Sequence, residues 1–266
     1  MLSTLHKLLV FLLRITIIFR VVSIIFLASQ TTALKIESSA QVASKMASNL
    51  RVAVLLGSTR TQGAPRPVNV GKRIGKYIAG AAQSRGMDIK IFDPLDPEYE
   101  LPLLRQPHFS YPKSRIPRHL DMMAEDFRNS DAIICITPEY NHCASPALLN
   151  TLNHFGSSVF SFKPSAIVSY SAGQWGGTRA AHSLRPVLSE LGCLPVSAMT
   201  HIPFAGEAFN EDGTPTENAE RWEKYAGRTL AQLEWWANAC RNHHAVQDPF
   251  EVSPAFQKSP DQRNAP

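Results

Sequence analysis

The chain has 266 residues, 44% of them hydrophobic and 18% charged, which supplies a sizeable core and excludes a wholly disordered protein. Its net charge of +5 is uneven: residues 1–50 carry five basic residues against one acid, and the rest carries 22 against 21. A body so near neutrality argues against a nucleic-acid partner, which calls for a basic face.

From Leu8 to Ala28 the chain is apolar apart from Arg14, Arg20 and small hydroxyl residues. The length suits a membrane span of about 20 residues, but an arginine near the bilayer centre costs about 2.5–3.5 kcal/mol. Residues 1–48 therefore read as a membrane anchor or targeting segment, with membrane contact through residues 8–28, or as a dispensable leader. Met46 lies just before the first strand and is itself a possible start. A single folded domain is expected over 49–241, followed by a loose, polar, Pro-containing tail at 242–266.

The body alternates strands and helices. Arg51–Leu56 (RVAVLL) reads as a strand ended by Gly57, and Val70, Ile74, Tyr77, Ile78 and Ala81 recur at helical spacing up to Gly86. Asp88–Phe92 is a second strand. Residues 93–118 form a long Pro-rich arm with Tyr99, His108, Phe109 and Tyr111, of a length that implies function or an interface. A helix over about 119–129 leads to Asp131–Thr137, an unbroken apolar strand of the kind buried on both faces. Ser145-Pro146 is an N-cap followed by proline at the first helical position, opening a helix to about His154. Ser165–Tyr170 is a fourth strand. A helix over about 177–191 contains Pro186, which is expected to kink or split it. Leu194–Met199 reads as the fifth strand. Trp222, Ala226, Leu230, Leu233 and Ala237 mark a last amphipathic helix. This pattern predicts an α/β fold, a flavodoxin-like three-layer sandwich whose five-stranded parallel sheet has the order 2-1-3-4-5. Its ligand site belongs at the carboxyl ends of the strands, beside the first, so the loops after strands one, three and four are the informative ones.

All three are unusual. The first, Gly57-Ser58-Thr59-Arg60, precedes a helix opening near Asn69. It offers backbone N–H groups, two hydroxyls, a guanidinium and a helix N-terminus, the donor set a phosphate needs, although Gly and Ser are also common in ordinary turns. Neither a Walker loop nor GxGxxG is present. The second, Pro138-Glu139-Tyr140-Asn141-His142, follows a buried strand, and its proline is expected to turn the chain outward and present backbone groups to a planar polar ring edge. Tyr140 is suited to stacking or to subunit packing, and His142 to a solvated loop position. The third, Ser171-Ala172-Gly173-Gln174-Trp175-Gly176-Gly177, permits close backbone approach or positive φ, with Trp175 either covering a ring or meeting another subunit. Cys143 reads first as a small packed residue and second as a redox thiol. The four cysteines (Cys135, Cys143, Cys193, Cys240) lack CxxC spacing, make no disulfide framework and read as reduced thiols of an intracellular protein, cytoplasmic in its catalytic body.

The runs LLGSTR at 55–60, TPEYN at 137–141 and SAGQWGG at 171–177 resemble the NADPH-dependent FMN reductases of the flavodoxin-like fold, over roughly residues 51–215. Pro146, Leu148 and Asn150 keep the family's Pro-x-Leu-Lys-Asn spacing, with Leu149 in place of its lysine; the Glu211-Asp212-Gly213 turn also fits. The resemblance implies an oxidoreductase with non-covalent FMN, NADPH or NADH as co-substrate, and a small-molecule electron acceptor such as a quinone, azo compound or metal oxyanion. It implies that Ser58, Thr59, Arg60 and Asn69 hold the FMN phosphate. Pro138, Glu139, Tyr140 and Asn141 would then line the isoalloxazine, and Ser171, Gly173, Gly176 and Gly177 would close the far side. No side chain is assigned a catalytic role, because hydride transfer belongs to the flavin, and no metal is implied. The loop between Arg60 and Asn69 is longer than the family's usual one. A flavodoxin-like electron carrier or flavin-binding sensor is the alternative, which the use of Arg60 and the near-neutral body disfavour. Aromatics at Tyr140, Trp175 and the arm suggest a homodimer or homotetramer.

Overall fold

The computed structural model describes residues 49–254, so the membrane reading of residues 8–28 and the end of the predicted tail lie outside the described residues. The first strand, β1 (Arg51–Leu56), leads through a loop into α1 (Val70–Gln83) and then β2 (Asp88–Phe92). The arm over 93–117 contains two single 3-10 turns and is pinned to the body by the Asn150 side chain, which accepts from Leu104 N (2.9 Å) and donates to Pro102 O (2.9 Å). Next come α2 (Arg118–Asn129), β3 (Ala132–Tyr140), β4 (Cys143–Ala144), α3 (Pro146–Asn153) and α4 (Ser157–Phe160). The chain continues through β5 (Pro164–Tyr170), α5 (Thr178–Glu190), β6 (Leu194–Pro195), β7 (Thr200–Ile202), α6 (Ala205–Ala208), α7 (Ala219–His244) and α8 (Pro249–Val252).

The parallel sheet runs β2-β1-β3-β5, and both β6 and β7 pair with the outer side of β5. This is the predicted flavodoxin-like order. Side-chain alternation along β1 feeds two cores. Val52, Val54 and Leu56 pack with Val70, Ile74 and Ile78 of α1 and with Leu230 and Leu233 of α7. Ala53 and Leu55 pack with α2, α3 and α5, where Phe92, Phe127, Phe155 and Phe160 gather at centroid separations from 4.6 Å upward. Helices therefore cover both faces of the sheet and leave the strand ends uncovered.

Several boundaries differ from expectation. Pro138 does not turn the chain outward: β3 continues to Tyr140 and reverses through Asn141 and His142, both left-handed (φ 50° and 65°), so that Tyr140 and Cys143 pair across a two-residue hairpin. The fifth strand is two fragments rather than one. Pro195 lacks an N–H to donate, and around it the carbonyls of Pro195 and Val196 accept from Arg185, while Ala198 N donates to Gln232. Pro186 sits inside α5 without splitting it. The last helix runs seven residues past Ala237, because the long Arg241 side chain is buried beside Asp131 (4.0 Å) and keeps that face against the body. The stretch from 242 onward, expected to be loose, therefore begins as helix and contains α8. All four cysteines are free thiols; Cys135 and Cys193 are buried, and burial pushes both thiols up, that of Cys193 to about 12. Among the described residues no helix is long and apolar enough to cross a membrane.

Candidate active site

At the carboxyl ends of β1, β3 and β5 a cavity of about 270 Å³ brings the three loops together. Ser58, Arg60, Asn69 and Val70 line one end, Pro138, Glu139 and Tyr140 the middle, and Ser171 and Ala172 the far wall. Ala64–Pro67 and Ala205–Gly206 complete it. Thr59, Asn141, Gly173, Gly176 and Gly177 are not in its lining.

The end of the cavity at Ser58, Arg60 and Asn69 is built from the strand terminus outward. Gly57 donates to Ile136 O (2.8 Å), and a Cβ there would lie 2.7 Å from Ser145 Oγ, so only glycine lets the chain leave β1 at this point. Arg60 donates through its two terminal nitrogens to Gly63 O (3.2 Å) and Pro67 O (3.3 Å), folding the long loop back over the cavity. Three of its five N–H donors remain. Asn69 is the N-cap of α1 in the left-handed region (φ 57°), and its buried Oδ1 has no hydrogen-bond partner. The first turn of α1 holds no acidic residue, and neither Arg60 nor Arg66 makes an ion pair among the described residues, so this end is electropositive. A second hollow of about 720 Å³ shares Arg66, Pro67 and Asn69 and runs on to Lys72, Arg73 and Lys76. Arg73 and Lys76 are held there by the 209–211 carbonyls, Phe209 O at 3.2 Å and Glu211 O at 2.8 Å.

Sequence reasoning passed over Tyr170, read only as the end of a core strand. Its buried hydroxyl lies beside Ser58 and against Gly71 in the first turn of α1. Burial pushes the phenol far up, so it stays protonated. The available signal was a tyrosine at a strand's carboxyl end, whose hydroxyl needs a partner if the ring is buried.

The middle wall is set by Glu139. Its carboxylate accepts from the N–H groups of Arg179 (3.1 Å) and Ala180 (3.3 Å) and lies 3.6 Å from the Arg179 guanidinium. The N-cap of α5, Gly177, has no capping side chain, so Glu139 closes that helix from another strand. Arg179 also lies 5.8 Å from the centre of the exposed Trp175 ring.

The glycine turn serves the chain before any ligand. Gly176 and Gly177 are buried at positive φ, and a Cβ would lie 2.9 Å from Ile202 N or 2.8 Å from Tyr170 N. Their role is to let the turn nest against β5 and β7. Gly173 O accepts from Phe204 N (3.2 Å) and Ser171 O from Ala205 N (3.0 Å), which fixes the far wall. Among the described residues no cluster of His, Cys, Asp or Glu suits a metal ion.

The residues present fit a phosphorylated flavin. The electropositive end supplies hydroxyl, guanidinium and helix N–H donors, the orphaned Asn69 oxygen awaits a hydroxyl donor, and the opposite walls offer aromatic and backbone surface.

The family model described as NADPH-dependent FMN reductase matches residues 50–206. A quinone reductase of Pseudomonas putida is 28% identical over 168 residues, covering 61% of this chain and 82% of that protein. An NAD(P)H-dependent FMN reductase of Pseudomonas aeruginosa is 28% identical over 179 residues, covering 64% and 92%. An NADPH azoreductase of a Bacillus species is 28% identical over 127 residues, covering 48% and 65%. Among solved structures, the flavoenzyme NAD(P)H:(acceptor) oxidoreductase FerB of Paracoccus denitrificans superposes with a TM-score of 0.56 at 22% identity, covering 70% of this chain and 98% of FerB.

Proposed function

We propose that this chain, which belongs to the NADPH-dependent FMN reductase family, binds FMN in the cavity at the ends of β1, β3 and β5 and uses NAD(P)H to reduce small organic acceptors such as quinones and azo compounds. It is an oxidoreductase of flavin and nicotinamide chemistry. The acceptor class rests on the quinone reductase and azoreductase relatives. The observation that carries the site assignment is the convergence of Ser58, Arg60, Asn69, Tyr140 and Ser171 on one cavity at the strand ends.

Bound FMN would supply the hydride and electron chemistry that links the nicotinamide to the acceptor. The protein's part is binding and orientation. Ser58, Arg60 and Asn69 would hold the phosphate end, with Tyr170 fixing the Ser58 hydroxyl and the first turn of α1. Tyr140 and the Pro138–Glu139 backbone would face the ring, and Ser171 would close the far wall. Thr59, Asn141 and the glycines at 173, 176 and 177 would act through the shape of their loops. Exposed Tyr140, which lines the cavity, and exposed Trp175 in the loop after β5 favour a second copy of the chain against this face.

The test is direct: record the visible spectrum of the purified protein with FMN, add NADPH anaerobically, then add a benzoquinone. Bleaching by NADPH and recovery on quinone addition support the reading. Absence of any flavin binding refutes it.

A further inference from the structure

A further cavity, of about 580 Å³, lies across the Pro203–Gly206 segment from the flavin cavity: Pro203 lines the one, Ala205 and Gly206 the other. One wall is a stripe of α7. Arg221, Trp222, Lys224, Tyr225 and Arg228 recur at three- and four-residue spacing and so share a helix face. No carboxylate lines the cavity. Glu220 is turned to Lys224 (2.6 Å), and Glu223 acts on Tyr77 of α1. Arg221 and Arg228 make no ion pair among the described residues, and Arg228 lies 5.6 Å from the Tyr225 ring centre. A merely solvated helix face interleaves both signs of charge along its surface; here cations and flat aromatic surface bound one hollow.

His201 closes the opposite side. The Ser169 hydroxyl donates to Gly176 O (2.9 Å), so its oxygen must accept from His201 Nδ1–H (2.7 Å). That leaves Nε2 as the acceptor of a ring that lines the cavity together with Trp222 and Tyr225. The cavity thus combines cationic donors, aromatic faces and one ring-nitrogen acceptor, within a few residues of the flavin site.

We propose that this cavity receives the adenosine end of the nicotinamide dinucleotide, with the purine against Trp222 and Tyr225 and the 2′-phosphate on Arg221 and Arg228. A dinucleotide has a flat ring at each end and anionic groups between and beside them, which suits two neighbouring cavities with the Pro203–Gly206 segment between them. The purine amino group finds its acceptor in His201 Nε2. The proposal rests on NAD(P)H being the donor, as argued above, and it makes the enzyme selective for NADPH over NADH.

The experiment uses the full chain loaded with FMN, with adenosine 2′-monophosphate as the probe. Calorimetric titration reads the cavity without turnover, and steady-state kinetics with each nucleotide follow. In the Arg221→Gln/Arg228→Gln variant the affinity for adenosine 2′-monophosphate is expected to fall roughly ten- to hundred-fold, the scale of lost hydrogen bonds to a charged group. The KM for NADPH rises with it, while the KM for NADH, FMN content and melting temperature stay unchanged. Unaltered affinity in the variant, an equal rise for both nucleotides, or binding of benzoate in place of adenosine 2′-monophosphate overturns the proposal. An enzyme that oxidises neither nucleotide but binds the probe through these arginines sinks the reductase reading and keeps the site.

Discussion

The Tyr170 hydroxyl lies 2.7 Å from the point where a Cβ on Gly71 would stand. Gly71 is glycine because the first turn of α1 presses on the phenol at the end of β5, where a Cβ would meet its hydroxyl. Gly71→Ala should destabilise the fold by about 1–3 kcal/mol, the usual cost of overpacking. In a Tyr170→Phe background the same change should cost less, since the crowding atom is gone. Urea unfolding of the four members of that cycle measures the coupling; strictly additive effects would show that the contact carries no strain.

Arg60 is both a loop brace and a cavity residue. Its two bonds to Gly63 O and Pro67 O leave donors for a phosphate, so Arg60→Ala should weaken FMN by about 1.5–3 kcal/mol, or roughly ten- to hundred-fold. Riboflavin, which lacks the phosphate, should lose less, and that smaller loss measures the brace. Flavin fluorescence titration separates the two. Equal losses for both flavins would mean that Arg60 only shapes the loop.

Glu139 caps a helix forty positions further along the chain. Glu139→Ala should cost about 1 kcal/mol, in the range of other lost caps, and lower the melting temperature by about 2–4 °C. Glu139→Gln keeps an acceptor oxygen for the Arg179 and Ala180 N–H groups and should recover part of that loss. Scanning calorimetry of the three proteins checks the order; a Gln variant no better than Ala would point to the charge alone.

His201 gives the stability a pH dependence. Burial first, and then the neighbouring His182 and Arg228, hold its imidazole below the ordinary value of about 6.5. The unfolded chain therefore takes up the proton before the folded one does. Stability from this group is complete above about pH 6.5 and is lost as pH falls through the lowered native value. Asn places a donor near Nδ1 and does not titrate, so His201→Asn should lose less stability between pH 7.5 and 5 than the parent. Parallel pH profiles in thermal unfolding would remove His201 from the account.

Much of the architecture was legible because it is written in local patterns. The apolar runs at Arg51–Leu56, Asp88–Phe92 and Ser165–Tyr170, alternating with amphipathic stretches, imply a parallel sheet covered on both faces, and that order alone places three loops at one edge. Boundaries failed where a side chain far along the chain overrode the local signal. Pro138 stayed in its strand because Cys143 returns to pair with Tyr140, and Arg241 prolonged the last helix by finding Asp131.

By itself the sequence determined the fold class and the donor chemistry of the loops, since strand and helix periods and the types of residue at Ser58, Arg60, Tyr140 and Ser171 are properties of short windows. Only the tertiary structure decided what those groups do. It turned Arg60 partly onto its own loop, set Glu139 on the start of α5, made Gly176 and Gly177 packing residues and raised Tyr170 from core filler to a prop of the site. Each of these rests on a partner brought near in space by the sheet. Hydrophobic periodicity records which face of an element is buried; it carries no information about which distant polar atom will meet it there.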